Sequence, residues 1–196
     1  FPFTLPMIPF LKSLRPHQWI KNLFVLAALI FSKHVFEPDY IIQASLAFVA
    51  FCFISSAVYL FNDIRDRKND RNHPEKRHRP IASGALGVST ASISAIVLAI
   101  IALWLAFGIQ LYFGIILVIY ALINVGYSLG LKHVVILDVM IIASGFLLRA
   151  IGGAFAIEVA ISSWFILCTM LLALFLGFVK RRQELILLEN QAGQHR

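Results

Sequence analysis

The sequence predicts an all-α membrane protein, a single bundle of about six transmembrane helices. Three observations carry that prediction. Hydrophobic residues make up 60% of the 196 and charged residues only 14%, against about 25% charged in a typical soluble domain. Crossing the hydrocarbon takes about 20 apolar residues, and residues 41–61 contain no charge, while the 47 residues 85–131 contain none either and have room for two spans. The runs are continuously apolar and do not alternate with period two, which excludes a closed β-barrel.

Taken in order, the first span covers 18–35 and follows a short polar opening, LRPHQWIKN. The second covers 41–61. The third and fourth, 88–107 and 111–130, are separated by a turn signal, FGIQLYFG, at 107–114. The fifth covers 134–156 and the sixth 160–179. This divides the chain into an N-terminal segment 1–15, a bundle 16–184 and a tail 185–196. Gly126 and Gly130 form a GxxxG spacing that permits close helix packing. Cys52 and Cys168 lie inside apolar runs and read as small buried hydrophobes. The six histidines show no zinc-binding spacing.

Loops rich in Lys and Arg stay in the cytoplasm. Fifteen basic residues fall on one side of this topology and one, Lys33, on the other, with Arg149 inside a span. Both termini and the 2–3 loop are therefore expected to face the cytoplasm. The net charge of +7 is accounted for by that bias and by anionic lipid at the membrane surface. No nucleic-acid partner is implied.

The 2–3 loop reads NDIRDRKNDRNHPEKRHRP, residues 62–80, with seven basic and four acidic residues among nineteen. Nothing breaks a helix between 41 and 73, and Pro74 is the first stop signal. On a continuous helix, Asn62, Asp63, Asp66 and Asp70 fall within an arc of about 100°, while Arg65, Arg67, Lys68 and Arg71 point elsewhere. Carboxylates stacked on one face repel. A divalent cation removes the conflict: Mg²⁺ takes oxygen ligands and commonly joins one or two carboxylates to substrate phosphates. Lys76, Arg77 and Arg79 alongside suit the remaining phosphate charge. The competing reading is a solvated loop whose charges only set topology. A nucleic-acid patch is excluded, because the loop is acidic as well as basic and has no aromatic residue to stack bases.

Other polar residues converge at the same membrane level. Arg15, Lys21 and Asn22 open the first span, Tyr127 and Lys132 close the fourth, and Lys180, Arg181, Arg182 and Glu184 end the sixth. Asp138 follows Lys132 by about 9 Å of helix, and an ionisable group inside a span marks function. Lys21 and Lys180 also suit snorkelling anchors, and Tyr127 an interfacial belt. Arg149 is placed nearer the outer face, in a structural role paired with Glu158.

The run Asn62-Asp63-Ile-Arg-Asp66-Arg-Lys-Asn-Asp70 resembles NDxxDxxxD, the first aspartate motif of the UbiA superfamily of intramembrane prenyltransferases. The segments LRPHQWIKN, DRNHPEKRHRPIASG, YSLGLK and KRRQEL are similar to its phosphoribosyl-transferring branch, over about 14–184. The resemblance implies a nine-helix bundle with a cytoplasmic-side cavity, of which this chain supplies six helices. Members commonly carry a second motif, DxxxD; here the matching region reads Asp138-Val-Met-Ile-Ile142, with one carboxylate, as the phosphoribosyl branch would have it.

The implied activity is transfer of a phosphoribosyl group from phosphoribosyl diphosphate to a polyprenyl phosphate. Asp63, Asp66 and Asp70 would hold Mg²⁺, with Asn62 orienting them. Lys76, Arg79, Lys132 and Lys180 would neutralise the departing pyrophosphate, and Asp138 would bind ribose hydroxyls or assist the metal. Lys21, Asn22 and Arg181 would meet the acceptor phosphate, and Tyr127 would also bind substrate. The alternatives are an aromatic prenyltransferase and a non-catalytic scaffold or transporter; the last predicts polar residues at the bilayer midplane or broken helices.

Overall fold

The computed structural model describes residues 7–130 and 135–193, the side chains of 135, 180 and 184–193 excepted. Helix α1 is Met7–Leu14, and Arg15 then takes a left-handed conformation, φ 53°. A 3₁₀ segment, Pro16–Leu26, runs into the short α2, Ala27–Phe31. Next come α3, Pro38–Arg65, α4, Arg67–Asn72, a 3₁₀ turn at Lys76–His78 and α5, Pro80–Ser83. Four long helices complete the chain: α6, Val88–Ile109; α7, Leu111–Leu129; α8, Val135–Ala156; and α9, Ser163–Gly193. No strand occurs among the described residues.

Local chemistry sets the boundaries. Pro38 and Pro80 open α3 and α5, where the missing N–H costs nothing and φ is already helical. Gly84, at φ 86°, closes α5 in the left-handed region where glycine carries no Cβ penalty. The side chain of Gln110 accepts from the Phe113 N–H at 2.8 Å and caps α7, so the expected turn at 107–114 is a two-helix hairpin. The apolar part of α9 runs from Ser163 to Gln183, and the expected boundary at 184/185 falls inside that helix.

Five of the six expected spans are continuous helices long and apolar enough to cross a membrane. The first differs. Its eleven 3₁₀ residues and five α-helical ones, at rises of about 2.0 and 1.5 Å, still reach about 30 Å, the thickness of the hydrocarbon. The protein is therefore a multi-pass membrane bundle whose first segment is wound more tightly than the rest.

Helix α3 sits at the centre, packed against α6, α7, α8 and the 3₁₀ segment. Its small residues Ala44, Ala47 and Ala50 are at most 1% exposed, as close helix approach in a membrane requires. Phe51 anchors the core against Phe113 and Tyr120 at ring distances of 5.9 and 5.5 Å. Helix α6 turns Ile93, Ile96, Ile100 and Trp104 outward, a face suited to lipid. Gly130 of the expected GxxxG pair has nothing within 4 Å of where a Cβ would stand. Close approach falls instead to Gly152 and Gly153 on α8. A Cβ on Gly153 would overlap the Val25 carbonyl, and one on Gly152 would meet Phe51 at 2.9 Å. The missing side chain of Gly153 lets the 3₁₀ segment lie directly on α8, and that of Gly152 makes room for Phe51 of α3.

The second span does not run unbroken to His73. Asp66, at φ −82° and ψ 2°, separates α3 from α4, although its N–H still bonds the Asn62 carbonyl at 2.9 Å and its carbonyl accepts from the Asp70 N–H at 2.8 Å.

Gly153→Val should lower the thermal midpoint in detergent by the equivalent of about 1–3 kcal/mol or more, the cost of overpacking. Gly108→Ala, in a helix with open space around its Cα, should not lower it, since alanine is favoured there by about 0.5–1 kcal/mol. Equal midpoints for the two variants would remove the docking role assigned to Gly153.

Candidate active site

The last turns of α3 carry Tyr59, Asn62 and Asp63, with Asp66 just beyond. These side chains form one wall of a cavity of about 400 Å³ between α3, α7, α8 and the start of the 3₁₀ segment. Asp63 is 2% exposed, and its Oδ1 accepts from Arg15 Nη2 at 2.6 Å and from Arg79 Nη1 at 3.2 Å. Arg15 reaches it from the left-handed corner before Pro16, with its guanidinium 5.0 Å over the Tyr59 ring. Arg79 Nη1 also donates to Asp70 Oδ2 at 2.7 Å.

Asp63 and Asp70 thus share one guanidinium nitrogen, so these two carboxylates are neighbours on one side of the helix end. Asp63 and Asp66 line the cavity, whereas Asp70 is buried against Arg79. Two basic residues expected to point away do so: Arg65 donates to the Leu129 carbonyl and Arg71 to the Ala82 carbonyl, both at 2.9 Å. Cations suit these helix C-terminal ends, where carbonyls lack partners. The Ser128 hydroxyl lies between the Asn124 carbonyl, at 2.9 Å, and the Asn62 side chain, joining α7 to the end of α3.

Asp138, 8% exposed, accepts from the Tyr127 hydroxyl at 2.7 Å. Arg181 Nη1 of α9 lies 4.0 Å from its other oxygen. Three residues expected to share one membrane level from three spans therefore meet. Ile142, four residues on, lines the cavity itself.

The deep end of the cavity corrects two expectations. Arg149 does not pair with Glu158, which is exposed beyond the end of α8. It is 5% exposed and lines the cavity, with Nε donating to Asn22 Oδ1 at 2.7 Å, Nη1 to the Gly145 carbonyl at 2.7 Å and Nη2 to the Tyr120 hydroxyl at 2.8 Å. Asn22, expected at the acceptor phosphate, is 0% exposed. Its amide nitrogen is 3.3 Å from both Cys52 Sγ and Ser55 Oγ, so the side chain is committed to orienting Arg149. Polar groups thus extend well below the rim, to about 16 Å along α8 from Asp138.

Lys21 and Lys76 line the cavity as anticipated. Lys132 and the side chain of Lys180 lie outside the described residues. Tyr59, Tyr120, Asn124 and Ser128 were not singled out from the sequence, although a signal exists. Tyr120, Asn124 and Ser128 recur every four residues in an otherwise apolar helix, which places them on one face, and Tyr59 precedes Asn62 and Asp63 by one turn.

Among the described residues no three Asp, Glu, His or Cys side chains form a ready cage for a metal ion. Asp63, Asp66 and the amide oxygen of Asn62 nevertheless place hard oxygen donors on one wall. That donor set fits Mg²⁺, which retains waters and uses one or two carboxylates with substrate phosphates rather than an all-protein cage.

Comparison with known proteins agrees with this geometry. Residues 22–182 match the UbiA prenyltransferase family. Proteins named decaprenyl-phosphate phosphoribosyltransferase from Mycolicibacterium smegmatis and Corynebacterium glutamicum are 41% and 40% identical over 95% of this chain. The chain spans 60% and 57% of their respective lengths. Among solved structures, a digeranylgeranylglyceryl phosphate synthase superposes with a TM-score of 0.73 at 25% identity, covering 86% of this chain and 58% of that one. A UbiA homolog from Archaeoglobus fulgidus bound to DMAPP and Mg²⁺ shares the fold, with a TM-score of 0.72 at 21% identity over 84% of this chain and 60% of that one. A buried aspartate gripped by two arginines at the mouth of a membrane-helix cavity thus sits in a recognised scaffold, and this chain belongs to the UbiA prenyltransferase family.

Proposed function

We propose that the protein transfers a phosphoribosyl group from phosphoribosyl diphosphate to a polyprenyl phosphate, such as decaprenyl phosphate, at the cytoplasmic membrane face. The observation that carries this reading is the charge of the cavity. Among its described lining residues, Arg15, Lys21, Lys76, Arg79 and Arg149 outnumber Asp63 and Asp66, and still do when Asp70 behind Arg79 is counted. Such a surplus suits substrates with several phosphate groups. Phosphoribosyl diphosphate is anionic at both C1 and C5, whereas a prenyl diphosphate is anionic at one end and otherwise apolar. Ile142 on the cavity wall also removes the second carboxylate that a DxxxD motif would supply. The names of the relatives point the same way.

In this reaction an oxygen of the lipid phosphate attacks C1 of the ribose. The C1–O bond to the diphosphate breaks, and pyrophosphate leaves with the electron pair. The nucleophile is already ionised, so no strong base is required. Mg²⁺ held by Asp63 and Asp66, with Asn62, would supply neutralisation of charge on the diphosphate. Arg15 and Arg79, fixed by Asp63, and Lys76 stand where negative charge accumulates on the leaving group, and such pre-oriented donors are what favour its departure. Lys132 and Lys180 are assigned the same role. Tyr127 and Asp138 form a polar ledge for ribose hydroxyls. Lys21 and Arg181 are assigned to the acceptor phosphate, whose tail leaves sideways between helices into the bilayer. Holding two anions together is the main task, and a cationic pocket performs it.

The purified protein in detergent, given Mg²⁺, labelled phosphoribosyl diphosphate and decaprenyl phosphate, should form a labelled lipid and release pyrophosphate. Turnover only with a polyprenyl diphosphate and 4-hydroxybenzoate would overturn the assignment. EDTA should abolish the reaction and excess Mg²⁺ restore it. Asp63→Asn should lower kcat at least about 100-fold, in the range for loss of a group that positions transition-state charge, with membrane insertion unchanged. A fully active Asp63→Asn variant would remove the metal site proposed here.

A further inference from the structure

We propose that Arg149 is the seat of the donor's 5-phosphate, an anion site at the deep end of the cavity opposite the diphosphate end. The proposal rests on the phosphoribosyl reading above. Its starting point is a cation without a counter-charge. Arg149 is 5% exposed in the middle of an apolar helix, where an ionised group is costly and is normally paired. Its hydrogen-bond partners are an amide, a backbone carbonyl and a phenol. Its ring contacts are Tyr120 at 4.8 Å and Phe146 at 5.7 Å. All are neutral. Among the described residues no carboxylate lies within ion-pairing distance of it.

The geometry points to what completes the pairing. A guanidinium has five N–H groups, and three are used by Asn22, Gly145 and Tyr120. One remains on each terminal nitrogen. N–H groups of a guanidinium match the oxygens of a phosphate, and Arg149 lines the cavity. Asn22, held by Cys52 and Ser55, fixes its orientation.

Depth selects the ligand. Ser55 shares Asn22 with Arg149 and precedes Asp63 by eight residues on α3, so the two poles are separated by about 12 Å along that helix. A molecule bridging them must be anionic at both ends, with a polar middle to meet Tyr59 and Asn124 on the cavity wall. A prenyl diphosphate lacks the second charge. The acceptor phosphate must stand beside C1, next to the departing diphosphate, and so belongs at the other pole. The 5-phosphate of the donor is the group left to reach Arg149.

The test separates the two phosphates. In detergent with Mg²⁺, each substrate is varied with the other saturating, and ribose 5-phosphate and pyrophosphate are titrated as inhibitors. Arg149→Gln should raise KM for phosphoribosyl diphosphate and the inhibition constant of ribose 5-phosphate about tenfold or more, as loss of a charge-assisted hydrogen-bond pair would. KM for decaprenyl phosphate and inhibition by pyrophosphate should stay within about twofold, because those groups bind at the rim. Arg149→Lys keeps the charge and loses the fork, and should give a smaller rise in the same two constants. If the glutamine variant does not purify as a folded species, the lysine variant carries the test. Unchanged values for phosphoribosyl diphosphate and ribose 5-phosphate in a folded variant would overturn the proposal. So would a rise confined to decaprenyl phosphate, which would place the acceptor phosphate on Arg149. A wild-type protein inactive with phosphoribosyl diphosphate would instead overturn the reaction assigned above, before any variant is made.

Discussion

The charged end of this bundle is organised around one buried carboxylate. Asp63 sits at the end of the central helix and holds Arg15, from before the first membrane segment, and Arg79, from beyond the second. Three separate parts of the chain are thereby tied at one point. Removing one member of a buried ion pair typically costs about 3–5 kcal/mol, so the grip is a structural constraint as well as a chemical one. It also explains the left-handed backbone at Arg15, an uncommon conformation for a residue with a side chain, since that corner delivers the guanidinium to Asp63. Asp63 and Asp70 balance Arg15 and Arg79 in this cluster, and positive charge is left over from Lys21 and Lys76 on the same cavity, which have only Asp66 against them among its described lining residues. That remainder is what equips the cavity mouth for phosphate.

A second polar centre lies deeper and obeys a different constraint. Within the hydrocarbon no water is present to satisfy polar groups, so they must satisfy each other. Asn22, Tyr120 and the Gly145 carbonyl do this for three donors of Arg149, but none supplies negative charge. The arrangement depends on a backbone contact about one helical turn from Arg149. Gly153 lets the 3₁₀ segment rest on α8, which brings Asn22 to Arg149. The tight winding of that segment, the glycine beneath it and the orientation of the deep arginine are therefore parts of one device.

Much of this was legible in the sequence because membrane proteins write their topology in composition. Uncharged runs located the helices, and the spacing of Asn62, Asp63 and Asp66 located one wall of the cavity. Asp138, the one acid in the interior of α8, was marked by the cost of burying it. The signals that fell short were those that look along one segment at a time. Asp70 does stay beside Asp63, since Arg79 Nη1 bonds both carboxylates, but the identity of that shared cation lies beyond helical spacing. Arg149 was given the nearest acid in sequence, because linear spacing does not show that Asn22, 127 residues earlier, packs against it.

What the sequence determined by itself was the kind of protein and the identity of its charged end: apolar length dictates spans, and carboxylates at helical spacing dictate a shared face. Which cations meet those carboxylates, which asparagine is spent on packing and which arginine is left uncompensated were decided only in three dimensions. The physical reason is that these are contacts between segments distant in the chain, set by how closely backbones approach and where a helix breaks. Periodicity describes one element at a time, whereas the cavity is a property of four packed together.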